Sequence, residues 1–589
     1  MNKNIKKIAQ DVHEGSKKPS LSKRATVNRA GGVAFEIDNP TLKLLTMTGG
    51  SFFSEPKYYS LDEAVRGSDG KMVNLKARID KIESGVASFL NCEELDDTAR
   101  EIINTALEVA NSENPRDLLR LAVWLRNDMN IRLTPQVLLV IASQNANTQP
   151  HIKDFSDQII LRPDEVKTCL MLHRFFFGQK CLKSSLDKAL GRAMSRFNEK
   201  ALMKYDGSNF PTWKDVLCWI KRKSGHPLSA DLANYFIKGE VSKEGTPIAF
   251  ARKELTKCVI FDENAKKLAK KSGANWEVLV SQFRGTKEVW TFLLENNLVK
   301  YMAMLRNLRN FLKAGVDDET VDMICAYLSN KDNVLYSKQL PFRFMSAYSV
   351  VENLHELDSR KRNKILNAIE TAIEISVDNV PEIDGLTVVF SDTSGSMDTT
   401  VSDKSTVTCK DAGAMLAGIV AKRCKDAYVG AFATDPKEVT FTSRDTVLSI
   451  AKKIKSANTN GWGTDAHKIM DWLKTKKIKP ARIIILSDMQ CYRSRGWGYN
   501  TSRSLAEKWT EFRESDLGKD CWLHSVHLNG SGDTPIDDSY RVNETAGFSE
   551  KIIQQLLESE AREEKGDYSE MGGSIEILPS VETIREKYK

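Results

Sequence analysis

The chain has 589 residues, of which 41% are hydrophobic and 28% charged, and its formal net charge is +7. One hydrophobic core cannot serve a chain of this length, so two or more domains are expected. The sequence has no run of about 18 apolar residues and no apolar core near its start, so we expect neither a membrane span nor a secretion signal. The ten cysteines form no CxxC pair, which predicts free thiols in a reducing cytoplasm and argues against a zinc site.

The first half of the sequence is helical in character. Residues 1–28 are expected to form a flexible basic arm. From about 80 to 375 apolar residues recur at helical spacing, in segments such as "RDLLRLAVWLRN". In "TPQVLLVIASQ", Thr134 is the predicted N-cap and Pro135 the first helical residue. Short helices joined by short loops predict an all-α, HEAT-like array of helical repeats, although no sequence period is visible.

Basic residues are concentrated between positions 161 and 225. This segment holds fourteen lysines and arginines against six acids, a local excess of eight that is larger than the net charge of the whole chain. Such clustering suits a polyanion such as nucleic acid, and a solvated helix face is the alternative. The aromatic residues Phe197, Tyr205 and Trp213 could stack on unpaired bases, but their helical context favours packing in a core.

After Pro381 the pattern changes to alternating strands and helices. The predicted strands are "LTVVFSD", "AYVGAFAT", "ARIIILSD" and "CWLHSVHLN", and the predicted helices include "CKDAGAMLAGIVAKRC" and "AHKIMDWLKTKK". Apolar strands that alternate with helices predict a doubly wound α/β domain whose parallel sheet is covered on both faces. Ligands of such folds bind at the carboxyl ends of the strands. Asp392 and Asp488 each end a predicted strand, so both are expected in the same crevice.

Oxygen-bearing side chains collect at this predicted crevice. "VVFSDTSGSMDTT" carries Asp392, Ser394 and Ser396 on one loop, where the alternate side chains of an extended turn converge. "GWGTDAHK" supplies Thr464 and "LSDMQ" supplies Asp488 from two further loops. Carboxylate and hydroxyl oxygens suit a divalent cation, Mg²⁺ or Mn²⁺. The set resembles the metal-ion-dependent adhesion site of von Willebrand factor A domains, whereas the alternative is a capping turn without a metal.

Blocks in the helical half add a second resemblance. "LKLLTMTGGSFFSEPKYYSLDEA", "RDLLRLAVWLRN", "FNEKALMKYDGSNFPTWKDVLCW", "KEVWTFLLENNLVKYMAMLRNLRNF" and "LPFRFMSAYSVV" resemble the TROVE module of the Ro 60 kDa family, and an A domain follows in that family's order. The resemblance implies a TROVE module over 29–375, a von Willebrand factor A domain with its metal site over 382–565, and a C-terminal segment over 566–589.

The resemblance to Ro proteins implies RNA binding. In that family the helical repeats close into a ring, small structured Y or Y-like RNA binds the basic outer surface, and single-stranded ends of misfolded RNA enter the hole. Some bacterial members work with an exoribonuclease. His226 could equally be a turn residue before Pro227. The candidate RNA-binding residues are Lys180, Lys183, Lys188, Arg192, Arg196, Lys204, Lys221, Arg222, Lys223 and His226.

An enzyme is not expected from this sequence. It has no GxxxxGK[ST] phosphate loop and no spacing that indicates a catalytic nucleophile, and a two-metal nuclease would need more clustered carboxylates. His524 and His527 lie three apart in a predicted strand and point to opposite faces, which is unsuitable for joint metal binding. We therefore expect a monomeric, non-enzymatic RNA-binding protein of the cytoplasm. The alternative is an adaptor that binds protein partners through the metal of its A domain.

Overall fold

The described part of the protein forms two compact units. One, the helical unit, comprises Glu55–Ile324, Glu356–Lys361 and Tyr588–Lys589, and the other, the α/β unit, comprises Met1–Ser54, Cys325–His355 and Arg362–Lys587. The computed structural model describes residues 25–27, 33–36, 39–49, 65–66, 72–73, 97–177, 182–207, 211–220, 228–339, 341–354, 358–401, 407–461, 463–488, 504–528, 533–534, 541–546, 552–554, 556–557, 560 and 579–589.

Among the described residues, the secondary structure is helical up to residue 376 apart from short strands, and mixed thereafter. The strands are β1 (Ala25–Val27), β2 (Val33–Glu36), β3 (Val65–Arg66), β4 (Met72–Val73), β5 (Thr387–Asp392), β6 (Ala427–Phe432), β7 (Pro436–Glu438), β8 (Arg482–Ser487), β9 (Trp522–His527), β10 (Asp533–Thr534) and β11 (Val542–Ala546). The helices are α1 (Pro40–Gly49), α2 (Asp97–Ala110), α3 (Asp117–Asn127), α4 (Thr134–Ala142), α5 (Ile152–Ile159), α6 (Pro163–Phe177), α7 (Ser184–Ser195), α8 (Glu199–Met203), α9 (Trp213–Trp219), α10 (Ala230–Lys238), α11 (Pro247–Thr256), α12 (Glu263–Lys271), α13 (Trp276–Phe283), α14 (Lys287–Glu295), α15 (Tyr301–Lys313), α16 (Asp318–Ser329), α17 (Lys331–Ser337), α18 (Pro341–Glu352), α19 (Ser359–Ser376), α20 (Cys409–Arg423), α21 (Val447–Lys455), α22 (Lys468–Lys476), α23 (Leu505–Arg513) and α24 (Pro579–Lys587). Within these described helices, none has the length and apolar character needed to cross a membrane.

Local signals explain where many helices of the helical unit begin. The side chains of Asn198, Ser229 and Asn275 each accept a hydrogen bond from a backbone N–H in the first turn of the next helix. Such caps satisfy donors that have no partner inside the helix. The helix predicted at "TPQVLLVIASQ" is confirmed, but it begins at Thr134 and its N-cap is Leu133, so the predicted cap position is one residue late.

The core of the helical unit is built from buried aromatic and aliphatic side chains. Phe155, Trp213, Trp290 and Phe311 are among the largest fully buried side chains of the protein. The indole N–H of Trp213 donates to the carbonyl oxygen of Leu202 at 3.1 Å. Packing, rather than exposure for stacking on bases, is therefore the role of Trp213, as its helical context predicted.

The α/β unit contains a six-stranded sheet in the order β11-β9-β8-β5-β6-β7. The neighbours from β11 to β6 are parallel, and the edge strand β7 is antiparallel to β6. All six residues of β5 and all six of β8 are buried, as expected for strands in the middle of a sheet that is covered on both faces. This topology confirms the predicted parallel α/β domain, whereas the antiparallel edge strand was not predicted.

Helices cover both faces of this sheet. On one face α22 and α23 place Leu473 and Trp509 against Val388 and Phe390 of β5. On the other face α20 passes so close that a Cβ on Gly413 would lie 2.6 Å from the Oγ of Ser391. Both faces are therefore dry, and solvent reaches the sheet at its strand ends.

Helices α17 and α18 and the part of α19 from Arg362 onwards belong to the α/β unit, although the sequence placed residues up to 375 in a single helical module. Glu374 of α19 accepts a hydrogen bond from the backbone N–H of Val447 at 2.7 Å, and Glu370 accepts one from the hydroxyl of Thr446 at 2.8 Å. These carboxylates cap the beginning of α21, a helix of the A domain. The compact α/β unit thus begins well before the predicted boundary.

The N-terminal boundary also differs from the prediction. Residues 1–24 lie outside the described residues, but β1 pairs with β2, and β2 pairs with β10 of the α/β unit. Among the described residues the first regular element is therefore β1, which begins at Ala25 within the segment predicted as a flexible arm. Helix α24 lies within the predicted C-terminal segment, and it packs on α1.

Candidate metal site and basic surface

The loop after β5 brings three predicted ligands together. Asp392 is the last residue of β5 and is fully buried, and the backbone N–H of Ser394 donates to its Oδ1 at 2.8 Å. The hydroxyls of Ser394 and Ser396 are 3.2 Å apart, held by the short helical turn Gly395–Asp398. Ser394 is buried whereas Ser396 is exposed, so the group opens to solvent on the side of Ser396.

Ser487 is a member of this site that the sequence reasoning missed. Its hydroxyl donates to Oδ2 of Asp392 at 2.5 Å, so each oxygen of this carboxylate accepts a hydrogen bond. Ser487 is the last residue of β8 and directly precedes Asp488. The sequence "LSDMQ" shows a hydroxyl directly before an acid at a strand end, but the same pattern stands at Ser391 and Asp392, so the pattern alone does not identify Ser487.

Thr464 lies at the same edge of the sheet. The N–H of its neighbour Asp465 donates to the carbonyl oxygen of Ala433, just after β6, at 2.8 Å. Phe432 of β6 is the register partner of Asp392, so this loop sits beside the end of β5. Among the described residues, the buried Oγ1 of Thr464 has no hydrogen-bond partner. A buried hydroxyl without a partner is costly, and a bound cation would give this oxygen a partner.

The electrostatics of the site favour a cation. Burial raises the pKa of Asp392 to about 7, and the negative charge of Asp488 adds to this, against hydrogen bonds from Ser487 and Ser394. Asp488 itself is buried. Two neighbouring buried carboxylates repel one another unless a positive charge lies between them. The carboxylates and hydroxyls present are the hard oxygen donors that Mg²⁺ and Mn²⁺ prefer, so the residues fit such an ion.

The arginines of the predicted basic surface have internal partners. Arg192 donates to the Oγ of Ser156 at 2.9 Å, and Arg196 donates to the carbonyl oxygen of Ile160 at 2.6 Å. Arg196 also donates to the carbonyl oxygen of Asp157 at 3.0 Å. These bonds satisfy carbonyls at the end of α5 and dock α7 against it. Much of the hydrogen-bonding capacity of both guanidinium groups is therefore structural.

The lysines of the same surface are placed differently. Lys183, Lys188 and Lys204 are exposed and have no ion-pair partner among the described residues. Lys204 lies over the ring of Tyr205, 5.4 Å from its centroid. Of the other candidate RNA-binding residues, five lie outside the described residues: Lys180, Lys221, Arg222, Lys223 and His226.

The acids of this region are occupied by internal hydrogen bonds. Asp206 accepts from the hydroxyl of Tyr235 at 2.6 Å, and Glu199 accepts from the backbone N–H of Ala249 at 2.8 Å. Asp215 completes a capping box at the start of α9. These neutral donors orient the carboxylates but do not cancel their charge. The positive surplus around α7 and α8 comes from the numbers, since residues 183–204 hold six lysines and arginines against two acids.

An array of short helices followed by a parallel α/β domain, with oxygen donors at the carboxyl ends of its strands, defines a helical-repeat protein with a von Willebrand factor A domain. The family described as "TROVE domain" matches residues 245–366, and the one described as "Ro60 vWA domain" matches residues 387–502. These two matches, in this order, support a protein of the Ro 60 kDa type.

Similar proteins agree with this assignment. The crystal structure of the Ro (RSR) protein of Deinococcus radiodurans superimposes with a TM-score of 0.59 at 16% identity, covering 77% of this chain and 92% of that one, so the fold is shared. Telomerase protein component 1 of Mus musculus and that of Rattus norvegicus are each 22% identical over 384 residues. Those matches cover 56% of this chain, which spans only 14% of the length of either relative.

Proposed function

We propose that this protein binds a small structured, Y-like non-coding RNA on the basic surface of its helical unit and captures single-stranded 3′ ends of misfolded RNA. The capture site is the hole of the ring that the resemblance to Ro proteins implies. Its role is RNA quality control or processing in the cytoplasm, as a monomer that works with an exoribonuclease. The observation that supports this most is the surplus of positive charge around α7 and α8, where Lys183, Lys188 and Lys204 are exposed.

The physical chemistry of lysine suits such a role. Lysine side chains contact phosphates as mobile point charges, so they hold an RNA without reading its sequence. Each phosphate contact releases counterions, and the affinity therefore falls steeply as salt rises. A protein that inspects many RNAs needs this kind of contact, since shape and free ends, rather than base sequence, separate a misfolded RNA from a correct one.

The test is a charge reversal of the exposed lysines. Lys183, Lys188 and Lys204 would be changed to glutamate together, and binding of a labelled hairpin RNA measured by fluorescence anisotropy at several salt concentrations. We expect affinity to fall by at least about tenfold and the slope of log affinity against log salt to flatten by about 0.9 for each phosphate that is no longer neutralised. Because all three side chains are exposed, thermal stability should change little.

A matched control removes the same charge elsewhere. Lys437, Lys479 and Lys519 are exposed lysines of the α/β unit, and their joint change to glutamate alters net charge equally. The control should keep hairpin affinity within about twofold, because long-range charge is screened at physiological salt. Equal losses of affinity in both variants, or no loss in either, would reject the surface around α7 and α8 as an RNA site. Failure of the wild-type protein to bind RNA would favour a protein-binding adaptor instead.

For the A domain we propose a bound divalent cation, Mg²⁺ or Mn²⁺, held by Asp392, Ser394, Ser396, Thr464 and Asp488. The buried hydroxyl of Thr464 and the raised pKa of Asp392 support it. Such an ion supplies a Lewis-acidic point that an acidic group of a partner can complete. Isothermal titration with Mn²⁺ should show binding to the wild type and no binding to Asp392→Ala.

The metal test has its own control. Asp398 lies on the same loop but is exposed and paired with Lys410 at 2.7 Å. Asp398→Ala should therefore keep Mn²⁺ binding, and the two variants differ only in which acid of the loop is removed. Unchanged Mn²⁺ binding by Asp392→Ala would show that the cluster is a capping turn rather than a metal site.

A further inference from the structure

Two adjacent aliphatic side chains stand in solvent on the loop between α11 and α12. Val259 is 92% exposed and Ile260 is 74% exposed. A single exposed apolar side chain is ordinary on a protein surface, but two large ones in succession form a small apolar projection that gains nothing from burial in the chain itself. We call this pair the apolar tip. Such a projection is stabilised only when another surface covers it.

The chain on both sides of the apolar tip is held in place. Before the tip, the side-chain amide of Gln282 donates to the carbonyl oxygen of Cys258 at 3.1 Å. After the tip, the ring of Phe261 is buried, and its centroid lies 5.0 Å from that of Phe283 and 5.2 Å from that of Phe292. Close-packed aromatic contacts resist displacement. A loop fixed in this way loses little conformational freedom when a partner binds it.

An arginine with a strained backbone lies beside the apolar tip. Arg284 directly follows Phe283, and its φ of 63° and ψ of 167° fall in a region that is used almost only by glycine. The next residue, Gly285, packs directly on Trp290, where a Cβ would lie 2.8 Å from the indole nitrogen. Strain of this kind persists only where the surrounding structure imposes it, and it is concentrated at functional sites such as ligand clamps. The position of Arg284 is therefore a second, independent sign of a binding surface.

The charges around the apolar tip differ in whether they are paired. Lys257 pairs with Glu254 at 2.6 Å on one flank, and Lys266 pairs with Glu263 at 2.8 Å on the other. The guanidinium group of Arg284 is exposed and has no hydrogen bond or ion pair among the described residues. The surface thus combines an apolar centre, a rim of paired charges and an arginine that lacks a counter-charge. Protein–protein interfaces have this composition, and a few apolar and arginine anchors supply most of their energy.

The chemistry of the apolar tip fits a protein better than RNA or a lipid surface. Valine and isoleucine have no ring to stack on a base and no group to bond its edge. Asp262 and Glu263 follow the tip closely and are exposed, so their charges repel the phosphates of RNA and of anionic lipids. A protein, by contrast, can offer one pocket for the two aliphatic side chains and a carboxylate for Arg284.

We infer that the apolar tip and Arg284 form a docking surface for a second protein, whose matching surface is an apolar pocket with a carboxylate at its rim. Burial of Val259 and Ile260 drives the association, and the pairing of Arg284 with the carboxylate fixes its orientation. The inference goes beyond the proposed function, because this surface recruits a protein without using the lysines around α7 and α8.

The experiment first identifies the partner and then measures its affinity. Asn264 is exposed, and its amide nitrogen lies 3.9 Å from the Sγ of Cys258, so a photo-crosslinking benzoylphenylalanine at position 264 stands close to the tip. The full-length protein is irradiated in the cell that produces it, and the adducts are treated with ribonuclease. We expect a discrete protein adduct that survives ribonuclease and is lost in Val259→Asp/Ile260→Asp. With that partner purified, calorimetry should show affinity lower by at least about thirtyfold for this double variant and by at least about tenfold for Arg284→Ala.

A matched control removes an arginine elsewhere on the helical unit. Arg309 is also exposed and without a partner among the described residues, so Arg309→Ala should keep partner affinity within about twofold. The tip variant should keep its melting temperature and its hairpin RNA affinity, because both changed side chains are exposed. No ribonuclease-resistant adduct, an adduct that persists in the tip variant, or equal partner affinity for wild type and Arg284→Ala would overturn the inference. An adduct that ribonuclease removes, or a loss of hairpin affinity in the tip variant, would overturn it in favour of an RNA contact.

Discussion

The buried ion-pair network of the α/β unit offers a quantitative test of the structure. Glu560 receives two hydrogen bonds from Arg482, at 2.6 and 2.7 Å, and one from the Nε2 of His524 at 2.8 Å. The side chains of Arg482 and Glu560 are only 8% and 13% exposed. Substitution of Glu560 by glutamine keeps its shape but leaves Arg482 charged and without a counter-charge in a largely dry place. Breaking such a pair costs about 3–5 kcal/mol.

The pKa of Glu560 gives an independent value for the same energy. Burial raises this pKa, but the hydrogen bonds and charges of Arg482 and His524 outweigh burial and hold it at about 2, against an ordinary value of 4.5. A difference of this size corresponds to about 3 kcal/mol. Because the folded-state pKa is the lower one, this stability is fully present above pH 4.5 and is lost as the pH falls towards 2.

Urea denaturation of wild type and Glu560→Gln at a series of pH values measures this directly. We expect a difference in unfolding free energy of about 3 kcal/mol that is constant above about pH 5 and shrinks below pH 4.5. The same substitution at Glu438, which pairs with Lys476 at 3.3 Å on the surface, should cost less than about 1 kcal/mol. A difference below about 1 kcal/mol at neutral pH, or one that does not shrink in acid, would refute the network as the source of stability.

Three further expectations follow from particular contacts. Glu374→Ala should cost about 1–2 kcal/mol, measured by urea denaturation, because it removes the acceptor for the N–H of Val447; a cost near zero would contradict capping across helices. Gly430→Ala should lower the melting temperature, because a Cβ there would lie 2.1 Å from the buried ring of Phe390; an unchanged melting temperature would contradict this packing. A hairpin with a single-stranded 3′ tail should bind at least about tenfold more tightly than its blunt form, equivalent to about 1.4 kcal/mol, and equal affinities in a competition assay would exclude tail capture.

The α/β domain was predictable because its signals are local and strong. Its central strands are continuous apolar runs, and Asp392 and Asp488 stand directly at their ends, so the topology of a parallel sheet brings them to one edge. The contribution of Ser487 to the candidate metal site was not predicted. Serine is common at strand ends, and only the three-dimensional hydrogen bond to Asp392 distinguishes this one.

Charge counting located the basic surface but could not separate its members. Arg192 and Lys188 lie on the same helix and contribute equally to a count, yet the arginine bonds to α5 and the lysine faces solvent. The difference depends on tertiary packing, in which a long planar side chain can satisfy carbonyls at a neighbouring helix end.

The boundary between the two units was the least predictable feature, and the reason bears on how such proteins are divided. The helical spacing of apolar residues continues to residue 376. The pattern of an amphipathic helix shows which face is buried, but it does not show which neighbouring element covers that face. The carboxylate of Glu374 shows which neighbour the end of α19 contacts. It accepts a hydrogen bond from the backbone N–H of Val447 and forms an ion pair with Lys422 at 3.2 Å. An acid that only faced solvent on a helical module would have neither of these two partners. A division of the chain at 382 would leave the start of α21 without its external cap. The TROVE match ends at residue 366, before Glu374, so the last part of α19 serves the A domain although its sequence continues the helical array.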